Sequence, residues 1–165
     1  MAQAQASYQG NRFSFQDISV TGTVAPLYGG TIFAFPKGVL QNLNWDAQQD
    51  AGIVQGNRVT IMGRTTGYGT CTGSLELLVS ESDDWFFNTL SSAGAFPVMA
   101  VYFDLNVSYS VNGADNRTDL LQGCRITKVG AANQKGNDAI TKTVDLSIAI
   151  PFQNGVALYG DPSNQ

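Results

Sequence analysis

The sequence predicts a mainly β chain: an antiparallel β-sandwich or barrel with one short flanking α-helix. Three observations carry this. Met99, Val101, Phe103, Leu105, Val107, Tyr109 and Val111 hold every odd position of one stretch, with Ala100, Tyr102, Asp104, Asn106, Ser108 and Ser110 between them, the two-residue period of a strand with one buried face. A similar alternation follows in 138–150, with Ile140, Val144, Leu146, Ile148 and Ile150 at even positions. Helical spacing occurs once, at Trp85, Phe86, Thr89 and Leu90. A length of 165 residues fits a single domain covering 1–165, large enough to bury roughly 70% of its unfolded surface without disulfides.

Taken in order, the first strand is expected at 12–24, where the apolar phase shifts from Phe13 and Phe15 to Ile18 and Val20; a bulge near Gln16 and Asp17 would produce that shift. The turn-rich "APLYGG" leads to a short strand at 31–35, which Pro36 ends. Residues 37–57 mix apolar and polar residues without a sustained period. They read as a long loop or arm, too apolar for disorder and therefore packed on something. A hairpin is expected from 58–65 and 69–80, turning at "TTGYG". Ser82 then caps a helix over about 83–93, with Asp83 and Asp84 favourably placed at its positive end. After the strand at 99–111, Asn112 and Gly113 signal a tight reversal into a strand at 118–129. The third long strand, 138–150, is closed by Pro151.

Composition narrows the function classes. Charged residues make up 13% of the chain, about half the usual share near 25%, so the surface is polar yet weakly charged. Identical neighbours covering much of that surface would tolerate this, because interface cores are depleted of charge. A net charge of −4 with scattered Lys and Arg argues against a protein that grips nucleic acid through a basic stripe. No basic, apolar leader opens the chain, and no segment approaches the 18 apolar residues of a membrane span. Synthesis in the cytoplasm, without membrane contact, is the expectation.

Catalytic and cofactor sites are not expected. Gly67, Gly69 and Gly73 are spaced one residue too wide for a dinucleotide loop, and Cys71, Gly73, Leu75, Leu77 and Val79 alternate in a strand where a helix would have to begin. Glycines inside a strand point instead to a bulge or a close backbone approach. The absence of histidine removes the Ser-His-Asp and Cys-His nucleophile systems, and with no Cys-x-x-Cys pair no zinc site can be located. Cys71 and Cys124 are the only cysteines. They could pair if their strands are adjacent, but in a chain without an export signal two buried thiols are the favoured reading.

Strands this long leave open edges that must be blunted or used. Low edge charge favours use, with sheets joining between subunits into a closed barrel. The order of features resembles the tail tube (major tail) proteins of tailed bacteriophages. The matching stretches are "VQGNRVTIMGRTTGYGTCTGSLEL", "SESDDWFFNTL", "YFDLNVSYSV" and the ending "DLLQGCRITKVGAANQKGNDAITKTVDLSIAIPFQNGV". The resemblance implies hexameric rings whose inner strands form one continuous barrel, stacked into a conduit for the viral genome. It also implies a place in the virion tail, with sheath, tape measure, baseplate or terminator proteins as partners and DNA in transit only. No cofactor is implied.

Under that resemblance Tyr102, Asp104, Asn106, Ser108 and Ser110 are candidates for the lumen wall, and Leu40, Leu43, Trp45, Ile53 and Val54 for ring-stacking contacts on the arm. Arg64 and Arg125 stand in low-charge strands, where a guanidinium calls for a carboxylate within the subunit or across an interface. Two rivals share the fold class. One is another ring-forming member of the same machinery, such as a tube-initiating baseplate ring that stops at one ring, or the tube of a contractile injection system. The other is a stand-alone binding module, with Asn106-Val107-Ser108 and Asn116-Arg117-Thr118 as glycosylation acceptors if secreted.

Overall fold

The computed structural model describes residues 18–36, 38–55, 61–79, 81–92, 97–111, 114–132, 135–136 and 139–160. In chain order these form β1 (Ile18–Val24), β2 (Ile32–Ala34), β3 (Leu40–Gln55), β4 (Ile61–Leu78), α1 (Glu81–Ser92), β5 (Phe103–Val111), β6 (Ala114–Ala132), β7 (Thr141–Ile148), β8 (Ile150–Gln153) and β9 (Val156–Ala157). The strands run β2-β1-β5-β6-β7-β4-β3, with β8 also on β6 and β9 on β8, and the pairings are antiparallel.

β6 belongs to two sheets. Its first half pairs with β5 and β8, and its second half, from Arg125 to Ala132, with β7. The change comes at Gly123, whose φ of 67° is costly for a side chain and where a Cβ would stand 2.9 Å from Ala149 Cβ. Gln122 and Gly123 together oppose Asp104, a β-bulge, and the Asp104 carboxylate accepts the Gly123 N–H at 2.8 Å. On the other side of the bend Ala149 N–H donates to Gln122 O at 3.1 Å.

The first sheet (β2, β1, β5, the start of β6, β8, β9) and the second (the end of β6, β7, β4, β3) close on one core. Val20, Val24, Phe33, Leu105, Val107 and Leu121 come from the first; Leu75, Leu77, Ile126, Val144, Leu146 and Ile148 from the second. These are the inward positions that alternation assigns on β5, β4 and β7. α1 covers one side with Phe86 and Leu90, four residues apart and both buried. Phe86 meets the rings of Phe35, Phe33 and Phe103 at 5.1, 5.6 and 6.0 Å between centroids, each such pair adding about 0.5–1.5 kcal/mol beyond area burial. Lys142 Nζ lies 5.7 Å from the Phe87 ring centroid and ties the helix to β7.

Several boundaries differ from the sequence reading. Residues 40–55, expected as a loop or arm, form the longest edge strand, paired with β4 from Leu40↔Leu77 to Gln55↔Ile61. "TTGYG" is not a turn but lies inside β4, which runs unbroken from Ile61 to Leu78. α1 begins at Glu81, so Ser82 sits within its first turn rather than before it. Residues 98–100 form a single 3₁₀ turn ahead of β5. Pro151 does not close a strand; Ala149 interrupts the ladder, and Pro151 is buried within β8 with its carbonyl accepting Leu158 N–H at 3.0 Å. The expected bulge at Gln16 and Asp17 lies outside the described residues.

Candidate functional site

The outward faces of the two sheets differ in chemistry. On the second sheet the register sets Asn44, Ser74, Asp145 and Lys128 in one row, Asp46, Thr72, Ser147 and Arg125 in the next, and Asn42, Glu76 and Thr143 in a third. From Thr70 to Glu76 of β4 and across its neighbours, every outward position is polar, and none of the exposed large apolar side chains stands there. Asp46, Glu76 and Asp145 are its carboxylates; its cations, Arg125 and Lys128, are confined to β6. An open groove of about 490 Å³ runs over Asn44, Asp46, Thr72, Ser74, Thr127 and Asp145.

The first sheet's outward face is mixed. Thr21, Asn106, Leu120 and Phe152 stand in one row, and Thr23 lies between Asp104 and Ile32. Ile32 is 76% exposed and Leu120 36%. The predicted lumen residues fall here. Asn106 is exposed and Ser108 half-buried on β5; Tyr102 is exposed and precedes the strand. Asp104 is half-buried with a carboxylate engaged at the β6 bulge, so it serves the bend of the fold. The side chain of Ser110 lies outside the described residues.

The predicted stacking residues are divided by β3. Its inward positions Leu43, Trp45 and Ala47 are half-buried against the core, and Leu40 is buried. Ile53, on the distal part of the hairpin, is 56% exposed. The side chains of Val54 and Arg64 lie outside the described residues. The alternation of Leu43, Trp45 and Ala47 with Asn44, Asp46 and Gln48 was the available signal for this strand. β3 ends the sheet, so 16 residues of backbone present an edge with no further strand partner among the described residues.

For Arg125 the described partners are not carboxylates. Its Nε donates to Met99 O at 2.7 Å, and its guanidinium carbon lies 5.7 Å from the Tyr102 ring centroid. A buried carboxylate paired with a half-exposed arginine occurs at residues that the sequence reading did not propose as an ion pair. Asp119, 3% exposed, accepts the Tyr109 hydroxyl at 3.2 Å and lies 3.9 Å from Arg117 Nε. Burial, then the Asp119 charge, pushes the Tyr109 phenol above its ordinary value.

Cys71 and Cys124 are buried free thiols, and Cys124 Sγ donates to Leu121 O at 3.2 Å. Burial, then the Asp46 charge, raises Cys71 from 9.0 to about 11; burial likewise raises Cys124. A raised thiol pKa stabilises the fold below the ordinary value, and that contribution is lost as pH climbs through the folded value. For Cys71 the window is therefore from 9.0 to about 11. A maleimide at pH 8 is expected to leave both thiols unmodified in the native chain and to label both in urea; labelling of the native chain at the unfolded rate would contradict their burial.

Among the described residues no group of three or more His, Cys, Asp or Glu is placed to hold a metal, and no helix is long and apolar enough to cross a membrane. No protein-family model matches the chain, and no curated protein matches it. Solved structures do match. The SPP1 tail tube aligns with a TM-score of 0.62 at 12% identity, covering 87% of this chain and 80% of that one. The sheath-tube complex of PVC, an extracellular contractile injection system, gives 0.60 at 14%, covering 90% and 95%. A chain of the anti-feeding prophage baseplate gives 0.59 at 12%, covering 88% and 97%. Over nearly its whole length, then, the chain has the fold found in these tail and injection-system assemblies.

Proposed function

We propose that this chain is the repeating subunit of a tail tube, a structural protein without catalytic activity. Six copies close a ring, and stacked rings make a hollow conduit through which a genome passes. The observation that carries the reading is the pairing of a polar, carboxylate-bearing face around Thr70 to Glu76 with a 16-residue edge strand, uncovered among the described residues, on the same sheet. A neighbour's strand laid along β3 extends the second sheet sideways, and a sheet extended around a ring becomes a barrel with no free edge.

In that barrel the outward face of the second sheet is the bore. Hydroxyls and amides hydrate it, and carboxylates on β3, β4 and β7 repel phosphates, so DNA slides rather than binds. This replaces the β5 face (Tyr102, Asp104, Asn106, Ser108 and Ser110) as the lumen wall. The apolar Ile32 and Leu120 of the first sheet make that face suited to contact with protein, such as a sheath. Baseplate, terminator and tape-measure proteins are the further partners of such a tube, and the virion tail is its place.

Sedimentation velocity over a concentration series tests the assembly. The expected result is a jump from monomer to six-fold mass and then to species of many rings. A hexamer that never grows would favour the ring that does not extend, and a monomer with no larger species at any concentration would count against self-assembly.

A further inference from the structure

The glycines of "TTGYGTCTG" make room for a brace that the tube reading leaves unassigned. At Gly69 an added Cβ would stand 2.4–2.6 Å from three ring atoms of Tyr159, so the ring rests directly on the β4 backbone. Two residues away the hairpin is kinked: Asp50 of β3 opposes both Gly67 and Tyr68 of β4, a bulge. A Cβ at Gly67 would meet Asp50 Cβ and O at 2.8 Å, and Gln49 Nε2 donates to Gly67 O at 3.2 Å.

The chain reaches this slot by a tight reversal at Asn154 and Gly155, both with positive φ, and by the two-residue strand β9. Val156 and Leu158 are 67% and 42% exposed, whereas Tyr159 is 8% exposed. Tyr159 is thus the buried anchor of an otherwise exposed segment. Among the described residues its buried hydroxyl has no hydrogen-bond partner, and the ring is held by packing.

We propose that residues 154–160 form a strap whose Tyr159 ring, wedged into the side-chain-free slot at Gly69, sets the angle at which the distal half of the β3–β4 hairpin leaves the sheet. Below the bulge the hairpin is held by the core through Leu43 and Trp45 on β3 and Leu75 and Leu77 on β4. Tyr68 in the bulge and Ile53 above it are exposed, so among the described residues the last inward support before the kink is the Tyr159 ring. Tyr159 is a positioning residue. If the hairpin meets the next ring, which rests on the tube reading, the strap governs stacking rather than ring closure.

Three variants test this by amide hydrogen exchange and by electron microscopy. Tyr159→Ala is expected to speed exchange in 49–55 and 61–69 by at least about tenfold while leaving 103–107 and 144–148 unchanged. Gly69→Ala, which expels the ring, should do the same. Tyr159→Phe should match or exceed the wild-type protection, because it removes a buried hydroxyl without a bonding partner among the described residues. Unchanged exchange in the hairpin of Tyr159→Ala would overturn the proposal, as would exchange raised equally in all strands or a chain that fails to fold, since Tyr159 would then belong to the common core. Those readings do not depend on assembly. Where wild type forms tubes, Tyr159→Ala should give rings without stacks, and chains that never form rings would instead count against the tube reading.

Discussion

Phe103→Ala is expected to destabilise the subunit by about 3–5 kcal/mol, a large share of the roughly 5–15 kcal/mol that holds a domain of this kind folded. Phe103 has no exposed surface and its ring meets those of Phe33 and Phe86 at 6.2 and 6.0 Å. It is therefore the point where β2, β5 and α1 share one aromatic cluster. Truncation leaves a cavity that three separate elements would have to move together to fill, and α1 loses part of its seat. Urea unfolding measures the loss; a midpoint shift equivalent to less than about 1 kcal/mol would show that the cluster is not a shared support.

The second large effect concerns charge. Reversing Asp46, Glu76 and Asp145 to Lys together changes each subunit by about +6, and all three stand on the polar face assigned to the bore. Assembled particles of the variant are expected to retain duplex DNA at low salt and to lose affinity by about 10³ or more between 50 and 200 mM salt, while wild-type particles retain none. Lysines at Ser19, Thr21 and Thr23, on the outward face of the first sheet, serve as the comparison. DNA held by that variant and not by the first would place the first sheet toward the bore. Light scattering on the same samples separates failure to bind from failure to assemble.

The parts of the fold legible in the sequence were those where one strand carries its own signal. β5 alternates without a break, and α1 has its apolar residues one turn apart. β3 carried a signal too, in Leu43, Trp45 and Ala47, but its outward Asn, Asp and Gln are poor strand formers, and tertiary pairing with β4 overrides them. The glycines of β4 have the composition of a turn. Their use, a bulge against Asp50 and a slot for Tyr159, depends on residues 17 positions before and 90 after them, which local reading does not join.

The face proposed for the bore was the least legible feature for the same reason. Alternation on β5 shows that a polar face exists, yet choosing between two polar faces requires knowing their neighbours. Asn106 lies between Thr21 and Leu120, whereas Ser74 lies between Asn44 and Asp145. Only the register reveals that one face is interrupted by apolar side chains and the other is not. Arg125 illustrates the limit in charge terms. Its sequence setting called for a carboxylate within the subunit or across an interface; among the described residues of the subunit a backbone carbonyl and an aromatic ring meet the guanidinium.

The tube reading stands most directly on one measurement, electron microscopy of the purified chain at high concentration, alone and with tube-capping proteins added as seeds. The expected images are six-fold rings and hollow tubes, with the second sheet of each subunit lining the channel in a reconstruction. A chain that stays monomeric under both conditions, or one that forms solid particles without a channel, would contradict it.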